Sequence, residues 1–506
     1  MLLLPKTPPF RPLPPLQGGI PYSVHRILYD ERSFARGSPV LIPMDAATQS
    51  FVSSQQPRFR DELFEFLRIP SISTLPEHQP DIQRAAEFVA ARLREAGLEN
   101  IEIIPTKGHP LVYADWLHAP GKPTVLCYGH YDVQPADPLE LWESPPFEPT
   151  VRDGSVYARG AADDKGQMYA HIKAVEALRA AHGRLPVNLK FLIEGEEEVG
   201  GGSISAFVPA NREKLAADVA LVSDTSMYAP GIPTLCIGLR GLVYMEWEAR
   251  GPARDLHSGL YGGAAPNAVF GLVELLAQCK DPSGRVRIPG FYDAVTPPAP
   301  QEKQSWEALP FDEKKFLDTE VGSSRLTGEP GYSVFERIWA RPTFEVHGIA
   351  GGFTGPGGKT VIPAKATAKV SLRLVAEQDP QRLITAVREF ARLHAPAGIE
   401  VEVRVLSAAP ATLVQPDHPA IQTAARALEE VFASPTVFIR SGGSIPIVGE
   451  FAAHLGIPSV LMGFGLPDDG LHSPNEKFSL ENYEKGTLAV AHFFDSLGRQ
   501  ATHPSP

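Results

Sequence analysis

The sequence predicts an α/β protein, with a largely parallel central sheet flanked by helices and an inserted α+β segment. Three observations carry this. Short apolar runs at residues 124–128, 187–193, 219–222 and 460–462 each end in polar residues, as strands buried on both faces of a sheet do. Stretches with apolar residues at helical spacing lie around them, at 58–68, 82–96, 167–180 and 481–497, and such alternation favours parallel strands linked by helices. The middle of the chain then changes character. Residues 242–249 and 367–374 alternate with a period of two, and 266–278 and 380–393 read as amphipathic helices. Between them a Pro- and Gly-rich stretch, 289–358, is expected to be mostly loop and short elements.

These patterns divide the chain into a discontinuous domain, residues 44–232 and 409–500, and an insertion at 233–408. Residues 1–43 hold nine prolines. They read as a poorly ordered extension, or as the product of an upstream start codon chosen in error before Met44. The opening apolar run, Leu2 to Leu4, is far shorter than the core of a signal peptide.

Composition narrows the function. Of 506 residues, 43% are hydrophobic and 21% charged, which excludes wholesale disorder. No apolar run reaches the ~18 residues of a membrane-spanning helix. A net charge of -12 argues against a general binder of nucleic acid or anionic membrane. The three cysteines, Cys127, Cys236 and Cys279, are too few and scattered for a disulfide framework or a zinc finger. Reduced, buried thiols in a cytoplasmic protein fit best.

Five polar motifs follow the predicted strands. Gly129-His130-Tyr131-Asp132 comes first; a period of two points His130 and Asp132 to one face, which suits an imidazole metal ligand oriented by a carboxylate. Next, Asp163-Asp164 opens a helix after a Gly-rich turn and would equally serve as a cap. The run Glu194-Gly195-Glu196-Glu197-Glu198 crowds like charge at a strand end, a cost that a bound cation would remove. A glutamate there with a raised pKa could act as a general base. Ser223-Asp224-Thr225 and Gly470-Leu471-His472-Ser473 complete the set, and either alone also reads as a capping or solvated turn. Together the motifs supply two histidines and several carboxylates. That mixture suits zinc, with manganese or cobalt as alternatives, and suffices for two metal ions sharing one carboxylate. The last motif lies 248 residues beyond Asp224, so a single site requires the chain to leave the sheet and return.

Taken in order, the five motifs resemble the co-catalytic zinc peptidase family of carnosinases, cytosolic non-specific dipeptidase, bacterial dipeptidases, glutamate carboxypeptidases and aminoacylases. The likeness runs from about residue 57 to 498. It is greatest to the cytosolic non-specific dipeptidase branch, through Gly238-Leu239-Arg240-Gly241, Asp255-Leu256-His257-Ser258-Gly259, Lys359-Thr360-Val361-Ile362-Pro363 and Gly442-Gly443-Ser444-Ile445-Pro446.

The resemblance implies a zinc-peptidase catalytic domain with an inserted lid and dimerisation domain, two divalent metal ions per subunit, and a homodimer. His130 and Asp224 would bind one ion, Glu198 and His472 the other, with Asp163 bridging and Asp132 orienting His130. Glu197 would be the general base, and the Asp163–Asp164 peptide would be cis. His257, Thr360, Arg373 and Ser444 would contact a small peptide substrate. Arg373 would pair with its terminal carboxylate, and His257 would reach in from the partner subunit. Three departures bear on the substrate: Ala158 replaces a glycine, Ser441 stands where the dipeptidase branch has a glutamate, and a histidine usual near Ser407 is missing. The implied reaction is hydrolysis of dipeptides or short peptides with a free C-terminal carboxylate. A deacylase of N-acyl amino acids is the alternative, against which Asp224 weighs.

Overall fold

Alternation within the apolar runs sends successive side chains to opposite faces of one sheet, and both faces are covered. In the computed structural model, which describes residues 43–499, Val125 and Cys127 join one core while Leu126 and Tyr128 join another. The expected extension therefore lies outside the described residues, apart from Pro43.

The central sheet has nine strands. In chain order the first six are β1 (Glu99–Ile104), β2 (Leu111–Trp116), β3 (Thr124–His130), β4 (Asn188–Glu194), β5 (Val219–Val222) and β6 (Thr234–Leu239). The chain then enters a second sheet of four strands: β7 (Gly241–Arg250), β8 (Thr343–Gly351), β9 (Lys365–Leu374) and β10 (Glu400–Ala409). It returns through β11 (Thr412–Leu413), β12 (Val437–Ser441) and β13 (Ser459–Leu461).

The central order is β1-β2-β4-β3-β5-β13-β6-β11, with β12 also paired to β6. The inner strands β4, β3, β5 and β13 run parallel, whereas β1 with β2 and β2 with β4 pair antiparallel. Helices α1 (Ala46–Leu67), α2 (Gln79–Glu95) and α3 (Lys165–His182) cover one face of this sheet through the larger core. On the other face, Ile204, Val208 and Phe451 pack against Leu126, Tyr128 and Val222. Side chains packed this fully stabilise by about 1.5–3 kcal/mol each.

In the second sheet, ordered β8-β9-β7-β10, α4 (Ala268–Gln278) and α5 (Pro380–His394) bury Leu272, Leu275, Leu383 and Val387 against Val243, Met245 and Val370. Two features differ from the sequence reading. Thr234–Leu239 belongs to the central sheet, so the chain crosses at Arg240 rather than at 233. Its partners β12 and β13 form only after the chain returns, and nothing local announces them. Within 289–358, Thr343–Gly351 is a nine-residue strand. It is an edge strand whose outer residues face solvent, so burial imposes little pattern on it.

The turns before β8 fold back onto the central sheet. Trp306, Phe335 and Trp339 pack on Val437 and Ile439 of β12, and Glu302 takes both Nε and Nη2 of Arg440 at 2.6 Å. All three cysteines are buried and unpaired. Among the described residues no helix is long and apolar enough to cross a membrane.

Candidate metal centre

The parallel strands end side by side and aim their following loops at one place, as open α/β sheets do. In register, His130 at the end of β3 faces Glu194 of β4, and Tyr128 faces Val222 of β5. The loops carrying His130, Glu197-Glu198 and Asp224 are thereby neighbours. Asp163 arrives on the segment before α3, and its peptide bond to Asp164 is cis. His472 comes from the far end of the chain. A short strand, Lys477–Ser479, pairs with Ser155–Tyr157 and draws its loop alongside Asp163.

Two groups of ligand-capable atoms result. Those of His130, Asp163 and Asp224 lie within 4.8 Å of one another, as do those of Asp163, Glu198 and His472. Asp163 belongs to both. Its Oδ1 is 3.2 Å from His130 Nε2, and its Oδ2 is 2.9 Å from His472 Nε2. Glu198 Oε2 lies 3.2 Å from the same His472 nitrogen.

Other side chains hold these donors. Asp132, fully buried, has Oδ1 3.4 Å from His130 Nδ1. The same carboxylate accepts the backbone N–H of Glu197 (3.3 Å) and of Glu198 (3.1 Å), so one residue orients an imidazole and anchors the neighbouring loop. Gln134 donates to Glu198 Oε2 at 2.8 Å. Asp164 accepts from the His130 N–H through Oδ2, while its buried Oδ1 has no partner among the described residues.

The electrostatics call for a cation. Burial, reinforced by Asp163, pushes Asp224 up to about 7. Burial raises Glu197 well above the carboxylate range, and Asp224, Glu198 and Asp163 add to the rise. Burial would raise Asp163 too, but hydrogen bonds from His130 and His472 hold it low. His472 is pushed up to about 10 by its bonds to Asp163 and Glu198. Each pair of ionised carboxylates at ~4 Å costs about 4 kcal/mol at an effective dielectric near 20, and two imidazoliums offset only part of that. Two imidazole nitrogens and three carboxylates, clustered and short of positive charge, fit divalent metal ions of the zinc type.

Comparison with known proteins gives the family. The signature of Peptidase family M20/M25/M40 matches residues 126–496. The chain belongs to that family. It is therefore a hydrolase of the metallopeptidase kind, and this M20 peptidase has full-length relatives. It is 31% identical over 469 residues to a Cys-Gly metallodipeptidase of Candida albicans, spanning 88% of this chain and 96% of the relative. Identity to the human Beta-Ala-His dipeptidase is 33% over 448 residues, 87% and 85% of the two chains. The structure of an M20 family metallo-carboxypeptidase from Sulfolobus solfataricus superposes with a TM-score of 0.78 at 30% identity, over 87% of this chain and 99% of that one.

The remaining predicted residues of this M20 peptidase fall into two places. Arg373 and Ser444 meet directly, Arg373 Nη1 donating to Ser444 Oγ at 2.9 Å, and the Ser444 hydroxyl in turn donates to the carbonyl of Arg240. Arg240 was not singled out by sequence for a role of its own. Burial, with Arg373 beside it, lowers its pKa to about 10. Among the described residues neither guanidinium has a carboxylate within ion-pair distance, whereas the buried Arg159 and Arg341 and the half-buried Arg440 each do. His257 lies elsewhere, on a two-residue ribbon in which Leu256–His257 pairs with Val361–Ile362, and Thr360 directly precedes that ribbon, its carbonyl accepting the Ser258 N–H at 3.1 Å. His257 is exposed, and its Nδ1 accepts from Gly259 N–H at 3.0 Å. It makes no hydrogen bond or ion pair with the five metal-ligating candidates.

Proposed function

We propose that this M20 peptidase hydrolyses dipeptides with a free C-terminal carboxylate, using two divalent metal ions, zinc being the native one. The observation that carries the reading is the pair of ligand groups sharing Asp163, with Glu197 beside Glu198. His130 and Asp224 would hold one ion, Glu198 and His472 the other, and Asp163 both. The relatives named as dipeptidases favour this over deacylation of N-acyl amino acids.

Bound ions would polarise the scissile carbonyl and acidify a water. The chain supplies the rest. Glu197 takes a proton from the attacking water as the carbon–oxygen bond forms. It delivers that proton to the amine nitrogen as the carbon–nitrogen bond breaks, so the two fragments leave as acid and amine. A carboxylate whose pKa lies above the usual range suits both halves of the task. The guanidiniums of Arg373 and Arg240, which have no carboxylate partner among the described residues, offer with Ser444 a site for the substrate carboxylate. Thr360 and His257 would contact the substrate, His257 from a second subunit of a homodimer built on the inserted domain. The enzyme would work in the cytoplasm, where its unpaired thiols stay reduced.

Unblocked dipeptides and N-acetyl amino acids, assayed side by side with metal analysis, test the reading. Turnover of dipeptides is expected. Turnover of the N-acetyl compounds alone would establish the deacylase instead.

Arg373→Met should raise KM for dipeptides by at least tenfold, since charge-assisted pairs to carboxylates contribute about 1.5–3 kcal/mol, with a smaller effect on substrates amidated at the C-terminus. An equal effect on both would remove Arg373 from the carboxylate site.

Metal binding should depend on pH in a defined direction. Without metal, Asp163 and Glu198 keep His472 protonated up to about pH 10, so an entering cation must displace that proton. Affinity should therefore rise with pH, by up to about tenfold per unit for each proton displaced. Chelation should abolish activity, and zinc, manganese or cobalt should restore it, with more metal needed at lower pH. Full activity after exhaustive chelation would eliminate the metallo-enzyme mechanism.

A further inference from the structure

We propose that Glu476 is a positioning residue that sets the separation of Asp163 and His472, and through it the affinity of the centre for metal. The proposal rests on the two-ion reading above. Glu476 is fully buried, and its carboxylate accepts four hydrogen bonds. Its Oε2 takes Arg159 Nη1 at 2.7 Å and the Gly160 N–H at 2.9 Å. Its Oε1 takes the N–H of Ala162 at 3.0 Å and of Asp163 at 3.1 Å. The Glu476 carbonyl accepts the Ala158 N–H at 3.0 Å. One residue thus grips the whole turn that presents Asp163, although 313 positions separate them in sequence.

The same residue lies four positions after His472, in a loop with little freedom. His472 and Asn475 both have left-handed backbones, with φ of 58° and 63°. Asn475 donates to the Leu141 carbonyl at 2.8 Å and accepts from the Glu143 N–H at 2.9 Å. Arg159 continues the clamp, donating to the Pro135 carbonyl at 3.1 Å. Glu476 touches none of the reacting groups. It acts by joining the segments that deliver Asp163 and His472, whose atoms meet at 2.9 Å.

Both carboxylate oxygens must accept. A glutamine would turn its amide NH2 either on Arg159 and the Gly160 N–H or on the N–H groups of Ala162 and Asp163, and both choices set donor against donor. An aspartate is one methylene too short to span the turn. Residues that orient metal ligands typically change affinity or activity 10–100-fold when altered.

Glu476→Gln, prepared metal-free, is tested by its thermal melt, by zinc titration against a competing chelator, and by kcat and KM at saturating zinc. A cooperative melt is expected, with zinc bound about 10–100-fold more weakly and kcat lowered at near-normal KM. A folded variant with unaltered zinc affinity and kcat would overturn the proposal, whatever its melting temperature, because Glu476 would then only support the fold. Should this variant not fold, Arg159→Lys decides. It withdraws the forked donor and leaves the backbone grip, so a several-fold loss of zinc affinity is expected, and wild-type affinity would overturn the proposal. The unaltered protein is measured first. If it bound no zinc or cleaved no dipeptide, the two-ion reading would fail, a result distinct from any behaviour of the variants.

Discussion

Glu197→Ala is expected to keep about two metal ions per chain while kcat falls by 10²–10⁴-fold, the usual contribution of a general acid–base group. The neighbouring change, Glu198→Ala, is expected to lose metal first and activity as a consequence. The contrast follows from geometry. Glu198 Oε2 stands 3.2 Å from His472 Nε2 within a ligand group, whereas Glu197 belongs to neither group, and among the described residues only its backbone is held, the N–H by Asp132 and the carbonyl by the Gly200 N–H. Its carboxyl therefore remains free to take and give a proton. Burial and the surrounding carboxylates raise its pKa, so the metal-free site resists ionising it and bound cations would permit it. Metal content by elemental analysis, with kcat measured on the same preparations, checks both variants. Near-normal turnover in Glu197→Ala would remove the base. Equal metal loss in the two variants would mean that the neighbours exchange roles.

Much of this centre can be read from the chain because two-sided burial leaves strong marks. The runs around Leu126, Leu192, Leu221 and Val460 are mostly apolar, with Asn188 and Lys190 among the exceptions, since both faces of their strands meet a core. Polar residues at their ends then stand out by contrast. Residue types at those ends suggest a metal centre, but which side chains share an ion followed only from the family resemblance. Elements whose partners lie far along the chain were not legible. Thr234–Leu239 pairs with strands formed some 200 residues later, and the exposed edge strand Thr343–Gly351 has one apolar face at most. The supporting residues were hidden for the same reason. Glu476 looks like an ordinary loop acid until the Arg159–Asp163 turn is placed against it. Gln134 carries no signal before its amide is seen 2.8 Å from Glu198. Arg240 stands inside the Gly238–Gly241 motif, yet its meaning comes from the lack of a carboxylate partner among the described residues, which no spacing reveals.

Mixing inactive Glu197→Ala subunits with inactive His257→Ala subunits is expected to regenerate activity. His257 is exposed, and among the described residues its side chain bonds only to its own turn; the adjoining Leu260 and Tyr261 are 76% and 44% exposed. Such a loop is poorly suited to wait in water and well suited to be covered by another molecule. The four-stranded sheet offers the means. The outer edge of β8 leaves Val346 and Ile349 exposed, and Phe270 and Val273 on α4 are exposed as well. An unpaired apolar edge is normally covered or blunted, and pairing about a two-fold axis is the commonest way to close it with a second copy. In a hybrid dimer, the subunit with intact Glu197 would receive its histidine from the Glu197→Ala partner, while the other site would lack both groups. Random exchange of equal amounts makes half the dimers hybrid, each with one competent site, so roughly a quarter of wild-type activity should return. Light scattering establishes the dimer, and differently tagged subunits establish exchange. A dimer that exchanges subunits yet stays inactive would place His257 in its own subunit's site or outside the chemistry.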